Sequence, residues 1–301
     1  MFLLHIHEHT AEKSLSAFLS EVLLDGFLDT LKIIPFLFLT YLLMEFIEHK
    51  ASDKTLRFMK NAGNFGPFFG GIFGILPQCA FSAVASNLYT GRVITLGTLF
   101  AVFLATSDEM LPILISEGIA PTKILFLLLY KCGGAIVIGF IIDLVMRLLF
   151  KKRENINIDE ICENDNCHCE KGIFYSATHH TLTVSLFILA VTLAVNTLIF
   201  FVGTEKLAEV SLAVPFLSYV LFAIIGLIPG CATSVAITTL GLNGIISTGA
   251  MLAGLFANSG VGLIVLWKVN PRKKENLIIM LLLVLIGFLA GILADAVGIK
   301  I

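Results

Sequence analysis

The chain has 301 residues, of which 57% are hydrophobic and 14% charged, with a net charge of −2 and a mean hydropathy of +0.95. A soluble domain carries about 25% charged residues, so a water-soluble globule is excluded, and this near-neutral balance gives nucleic acid no basic face to bind. No Gly-x-x-x-x-Gly-Lys-Ser/Thr loop occurs, which removes a built-in ATP-driven motor.

Residues 1–21 read as an extracytoplasmic tail. They lack the basic region, apolar core and cleavage site of a removable signal peptide, so the first span must direct insertion itself. His5, His7 and His9 alternate with Ile6 and Glu8, and an extended chain can present all three imidazoles to one metal ion; the plainer reading is a solvated tail. The first span follows, through Ile33–Ile47 with its leading turns. Asp25, Asp29 and Lys32 share one helical face and Glu45 lies near the inner end, which makes Asp29 and Glu45 candidate metal ligands.

The apolar stretch Gly63–Gly91 is interrupted at Leu76-Pro-Gln-Cys. Proline removes a backbone donor, and inside a membrane the freed groups must find protein, water or a bound solute. Gln78, Cys79, Ser82 and Asn87 are therefore candidates for a transport path; the alternative is a packed, kinked helix with Cys79 as a small hydrophobe. Val93–Ser116 is long enough to cross, a task that takes about 20 apolar residues. It carries Ser107, Asp108 and Glu109 well inside, where a carboxylate suits a cation ligand or proton acceptor. Ile124–Phe150 places Lys131 about a third of the way along, too deep to snorkel, and the expected partner is Asp108 or Glu109.

Residues 151–173 form a polar loop in which Cys162, Cys167, His168 and Cys169 stand among acidic residues. The spacing is not that of a folded zinc ribbon, so a metal-capturing cytoplasmic loop is expected. The other cysteines lie in apolar segments and suggest no disulfide framework. Leu182–Val202 crosses next. Pro215–Leu242 then repeats the interruption at Ile228-Pro-Gly-Cys231, followed by Thr233 and Ser234. Ile245–Trp267 contains Asn258 and Ser259, and Leu277–Val297 is the last span.

The two interruptions belong to a repeat with an offset of 152 residues. Ten of the 32 positions from Leu76 to Ser107 are identical to their partners, and Gly139 and Asp143 pair further on with Gly291 and Asp295. Lys and Arg in short loops prefer the cytoplasmic side. The three basic loops, around Lys50–Lys60, Arg147–Arg153 and Lys268–Lys274, place both termini outside and make each unit cross an odd number of times. The second unit is then inverted, as in many secondary transporters. The fold class expected is all-α: a polytopic membrane protein with repeat 1 at 22–150 and inverted repeat 2 at 174–301. It has ten spans, or six spans plus two re-entrant hairpins. Asp143 and Asp295, near span ends, read as capping or ion-pairing residues.

Gly70-Gly-Ile-Phe-Gly-Ile-Leu-Pro-Gln-Cys-Ala-Phe-Ser, continued by Ala85-Ser-Asn-Leu-Tyr-Thr-Gly-Arg and Ala105-Thr-Ser-Asp-Glu-Met-Leu-Pro, resembles the ten-span heavy-metal exporters, labelled manganese transporters and grouped with arsenic-permease-like proteins. The resemblance runs from about Asp25 to Asp295 and implies a ten-span protein that exports a metal ion.

The expectation is a secondary transporter in the cytoplasmic membrane. It binds a divalent or soft metal ion between the two interruptions, with Gln78, Cys79 and Ser82 facing Cys231, Thr233 and Ser234. It holds no permanent cofactor; its partners are the lipid bilayer and a small ion, and self-association is left open. Manganese suits Asp108, Glu109 and Asn258, whereas Cys79 and Cys231 suit softer ions or arsenicals. The alternatives are a carrier of a small organic or oxyanionic solute, a channel, and an intramembrane enzyme. For the enzyme neither a His/Glu zinc-protease motif nor a Gly-x-Ser-x-Gly elbow is present.

Overall fold

The computed structural model describes residues 23–24, 27–28, 30–31, 33–35, 37–39, 41–42, 65–75, 80–106, 110–149, 173–202, 215–229 and 231–299. All regular structure among them is helical. Positions 33–35, 37–39 and 41–42 belong to the first span. Two short helices follow, α1 (Gly66–Gly74) and α2 (Ala80–Thr90), then α3 (Leu96–Ala105), α4 (Met110–Ser116) and the long α5 (Pro121–Leu149). After α6 (Ile173–Val202) the same order returns: α7 (Pro215–Gly226), α8 (Cys231–Leu242), α9 (Thr248–Ala257), α10 (Gly262–Val269) and the long α11 (Lys273–Val297).

Local chemistry sets the boundaries. Proline opens α5 and α7 and stands in the first turn of α1, where its missing N–H costs nothing. Thr95 caps α3 by accepting from the Thr98 amide, and Ser247 caps α9 by accepting from the Ala250 amide. α11 stops at Gly298, whose φ of 78° is the left-handed conformation that glycine adopts freely.

The two caps are parts of a larger matched arrangement. The Asp143 carboxylate on α5 accepts from Gly97 N at 2.9 Å and from Thr95 Oγ1 at 2.7 Å. In the second half Asp295 on α11 accepts from Gly249 N at 2.8 Å and from Ser247 Oγ at 2.8 Å. Each residue of one set lies 152 positions from its counterpart. The carboxylates face helix N-termini, where the backbone dipole favours negative charge. Such close approach requires glycine: a Cβ on Gly97 would lie 2.1 Å from the Gly139 carbonyl oxygen, and one on Gly249 would lie 2.4 Å from that of Gly291.

α1 runs alongside α3 in the same direction, since Gly66 lies against Thr98, Gly70 against Ala101 and Gly74 against Ala105. α2 ends five residues before α3 begins, so the chain goes in along α1 and comes back along α2. In the second half Tyr219 of α7 donates to Asp295 beside the start of α9, and Gly226 lies against Gly254, so α7 and α8 make the same excursion. α5 and α11 run antiparallel. Tyr130 donates to the Ala290 carbonyl, and the α2–α3 loop that touches Asp143 near the end of α5 also reaches Glu275 in the first turn of α11.

The main core joins both halves through Phe100, Phe103, Leu252 and Phe256, with α3 packed on α9 at its centre. A second cluster joins the first span, α6 and α10 through Leu37, Tyr41, Val184 and Val265. Among the described residues, five apolar stretches are long enough to cross a bilayer: Leu96–Ser116, Pro121–Leu149, Ala177–Ala194, Thr248–Val269 and Lys273–Val297. Each coincides with an expected span. The exposed residues of α11 include Leu277, Leu281, Leu285, Leu289 and Leu293, an aliphatic stripe that has the spacing of one helix face and suits lipid.

Candidate functional site

The spans Leu96–Ser116 and Thr248–Val269 are not continuous helices. The first breaks where Thr106 takes φ −51° and ψ 123°, and the second where Asn258 takes φ −74° and ψ 110°. The sequence reading located the irregular backbone at the two prolines alone. The additional breaks contain no proline, but Asn258-Ser259-Gly260 is turn chemistry: Asn258 Oδ1 accepts from Gly260 N at 2.8 Å, and Gly260 has φ 55°. Thr106, Asn258 and Ser259 are all buried. Each break therefore presents the carbonyl end of a half-helix inside the protein, away from bulk water.

Two side-chain groups converge on these breaks. Lys131 on α5, 1% exposed, donates through Nζ to the Thr106 carbonyl oxygen at the end of α3. Ser82 and Ser86 on α2 reach the other break, with Ser86 Oγ donating to the Gly262 carbonyl at 2.7 Å. A Cβ on Gly262 would lie 2.6 Å from the Phe103 ring and 2.8 Å from Ser82 Cβ. α2 thus packs on α10, and α8, carrying Thr233 and Ser234, packs on α4. The return arm of each half's excursion meets the broken helix of the other half.

The remaining candidates are placed as follows. Thr233 and Ser234 are buried, and Thr233 Oγ1 has no hydrogen-bond partner among the described residues. Asn87 is fully buried; its Oδ1 accepts from Tyr41 of the first span at 3.0 Å, while its Nδ2 is unpartnered among the described residues. Cys231 begins α8. Gln78, Cys79, Ser107, Asp108 and Glu109 lie outside the described residues, as do Asp29, Glu45, His5, His7, His9, Cys162, Cys167, His168 and Cys169. Among the described residues no three His, Cys, Asp or Glu side chains come together as a metal cluster.

A further polar cluster stands at the end of the bundle that carries Arg147 and Arg272. Arg92, between α2 and α3, donates to Glu275 Oε1 at 3.0 Å and Oε2 at 2.9 Å, and the Tyr89 hydroxyl donates to the same carboxylate. Arg92 has φ 56°. A non-glycine residue in the left-handed region costs energy, so the fork-like pairing with Glu275 holds it there. The local signal was one acidic residue inside the basic loop Lys268–Lys274 and its continuation; its partner, 183 residues away, had none.

A family model described as "Putative, 10TM heavy-metal exporter" matches residues 14–178, just over half of the chain. No curated protein matches the chain. No solved structure matches it either.

Proposed function

The chain belongs to the 10TM heavy-metal exporter family, and from that premise we propose that it is a secondary active transporter that moves a divalent or soft metal ion out of the cell. The observation that carries this reading is the pair of buried helix breaks at Thr106 and Asn258. Each lies in a half-helix enclosed by protein, and polar side chains from neighbouring helices are directed at it. Non-helical backbone at membrane depth is tolerated where it lines a cavity or a solute path, and broken helices mark the binding sites of many secondary transporters.

The two halves act as an inverted pair. Support comes from the matched caps at Asp143 and Asp295, the antiparallel α5 and α11, and the reciprocal packing of α2 on α10 and α8 on α4. The excursions α1–α2 and α7–α8 are read as re-entrant hairpins. Their helices have 9, 11, 12 and 12 residues, or about 14–18 Å at 1.5 Å per residue, against a hydrocarbon core of about 30 Å. Counting each hairpin arm as a span raises six crossings to the ten in the family description. Alternating access then arises as one half rocks against the other about the α3–α9 contact. The basic loops lie in the cytoplasm and both termini outside, by the charge bias of the loops.

Asp108 and Glu109, which follow the break at Thr106 after Ser107 in sequence, supply the hard anionic ligands that a manganese-like ion prefers, and Cys79 and Cys231 supply softer ones. A second reading, an oxyanionic solute such as an arsenical, is favoured by the buried amine of Lys131. One experiment separates the two. Metal-sensitive cells expressing the wild type or Asp108→Asn are challenged with a panel of metals and arsenicals, and cellular elemental content is measured. The wild type is expected to lower one metal and Asp108→Asn to lose that effect. A fall in arsenic alone supports the second reading, and no change in any element rejects both.

A further inference from the structure

The position of Lys131 makes a specific demand on the transport cycle. Its side chain is 1% exposed and donates to the Thr106 carbonyl, one of the groups that the C-terminal end of α3 leaves without a helical partner. That end is the negative pole of a half-helix and would also attract a transported cation. The next three positions in the chain include two carboxylates, Asp108 and Glu109. An ammonium at this place does what a bound cation would do: it takes carbonyl oxygen as a ligand and offsets the negative pole of the half-helix.

The other half has no such group. Residues 152 positions on from Thr106 and Lys131 are Asn258 and Leu283. Asn258 satisfies its own turn through Gly260 N, and Leu283 is fully buried. The scaffold therefore accommodates an aliphatic residue at this helix position, and the amine in the first half is not required by packing.

We propose that Lys131 is a tethered surrogate cation, seated at the carbonyl end of α3 when the carrier is empty and displaced when the metal ion binds. This rests on the reading of the chain as a metal-ion exporter. Two unit charges about 5 Å apart at an effective dielectric constant near 20 disfavour joint occupancy more than about a hundredfold, and a divalent ion does so further. Occupancy is exclusive, and the cradle is charge-compensated in both states. The empty carrier can then reorient without carrying an uncompensated helix pole through a low-dielectric barrier. Lys131 acts as a positioning and charge-compensating residue that sets the mode of transport, net export rather than obligatory exchange.

The test uses purified full-length protein in liposomes loaded with manganese(II) or zinc(II). Net efflux into metal-free buffer requires return of the empty carrier; exchange of internal for external isotope does not. Lys131→Met keeps length and loses charge, and Lys131→Arg keeps a tethered charge. Size-exclusion profile and thermal melting establish that the variants fold. The expected result is that Lys131→Met loses net efflux about tenfold or more, that exchange stays within about threefold of wild type, and that Lys131→Arg recovers part of the net efflux. Parallel loss of net efflux and exchange in folded Lys131→Met, or no change in either, overturns the proposal while leaving the transporter reading intact. Wild-type protein that moves neither metal in either assay overturns the exporter reading, and this inference with it.

Discussion

Arg92 and Glu275 form a two-pronged ion pair that ties the loop after α2 in the first half to the first turn of α11 in the second. The corresponding positions at the opposite end, Gly244 and Lys123, cannot form such a pair. This particular fastening across the halves therefore stands at one end of the bundle and has no symmetry-related copy. Glu275→Gln removes the charge while keeping the shape, and is expected to lower stability by about 1.5–3 kcal/mol, the range for hydrogen bonds to charged groups. Thermal unfolding in detergent checks this. Arg92→Gly relieves the positive φ as it removes the pair, so its loss should be smaller than that of Arg92→Ala.

Asp143 and Asp295 perform the same task 152 residues apart, and should respond alike. Each carboxylate satisfies a glycine amide at the first turn of a neighbouring helix. Asp143→Ala and Asp295→Ala are each expected to cost about 1–2 kcal/mol, as the loss of a helix cap does. Comparable melting-temperature shifts for the two variants would support equivalent halves; a large effect of one and none of the other would contradict them.

Gly262 separates α2 from α10 at the second break. A methyl group there meets Phe103 and Ser82 at distances no real Cβ contact shows. Gly262→Ala should destabilise by about 1–3 kcal/mol, as overpacking of a tight core does, and should reduce flux more than expression. Immunoblot normalised to metal efflux separates the two effects.

The orientation of the chain is tested by labelling. A cysteine at Glu117 in a background without the native cysteines should react with a membrane-impermeant maleimide added outside intact cells, and one at Lys152 only after permeabilisation. The reverse pattern would place the basic loops outside, against the charge bias that motivates the assignment.

The all-α membrane class and the five described spans were legible because they rest on composition, and the matched cap residues because they have no chemical substitute. Gly97, Gly139 and Asp143, with Gly249, Gly291 and Asp295, recur because a carboxylate can reach a helix N-terminus only where no Cβ intervenes. The choice between a hairpin and two short crossings at α1–α2 was not legible, because both give the same apolar pattern and the same parity. The break at Thr106 carries no proline or glycine, and its carbonyl finds its partner on another helix, at Lys131. Lys131 itself was conspicuous as a charge in an apolar run, but its carbonyl partner could be known only from the packing of α5 on α3.

The stretch Thr248–Val269 is wholly enclosed by protein, and the N-terminus of α9 is held by Asp295, a residue made 46 positions after Gly249. During synthesis α9 therefore enters the membrane before the group that completes its first turn exists. Until α11 is inserted, α9 lacks the carboxylate that backs its Ser247 cap and the helix that shields it from lipid. Any chain released before residue 295 leaves this innermost segment exposed, with its small residues offering a sticky surface to other membrane helices. Every molecule passes through that half-built state before α11 follows.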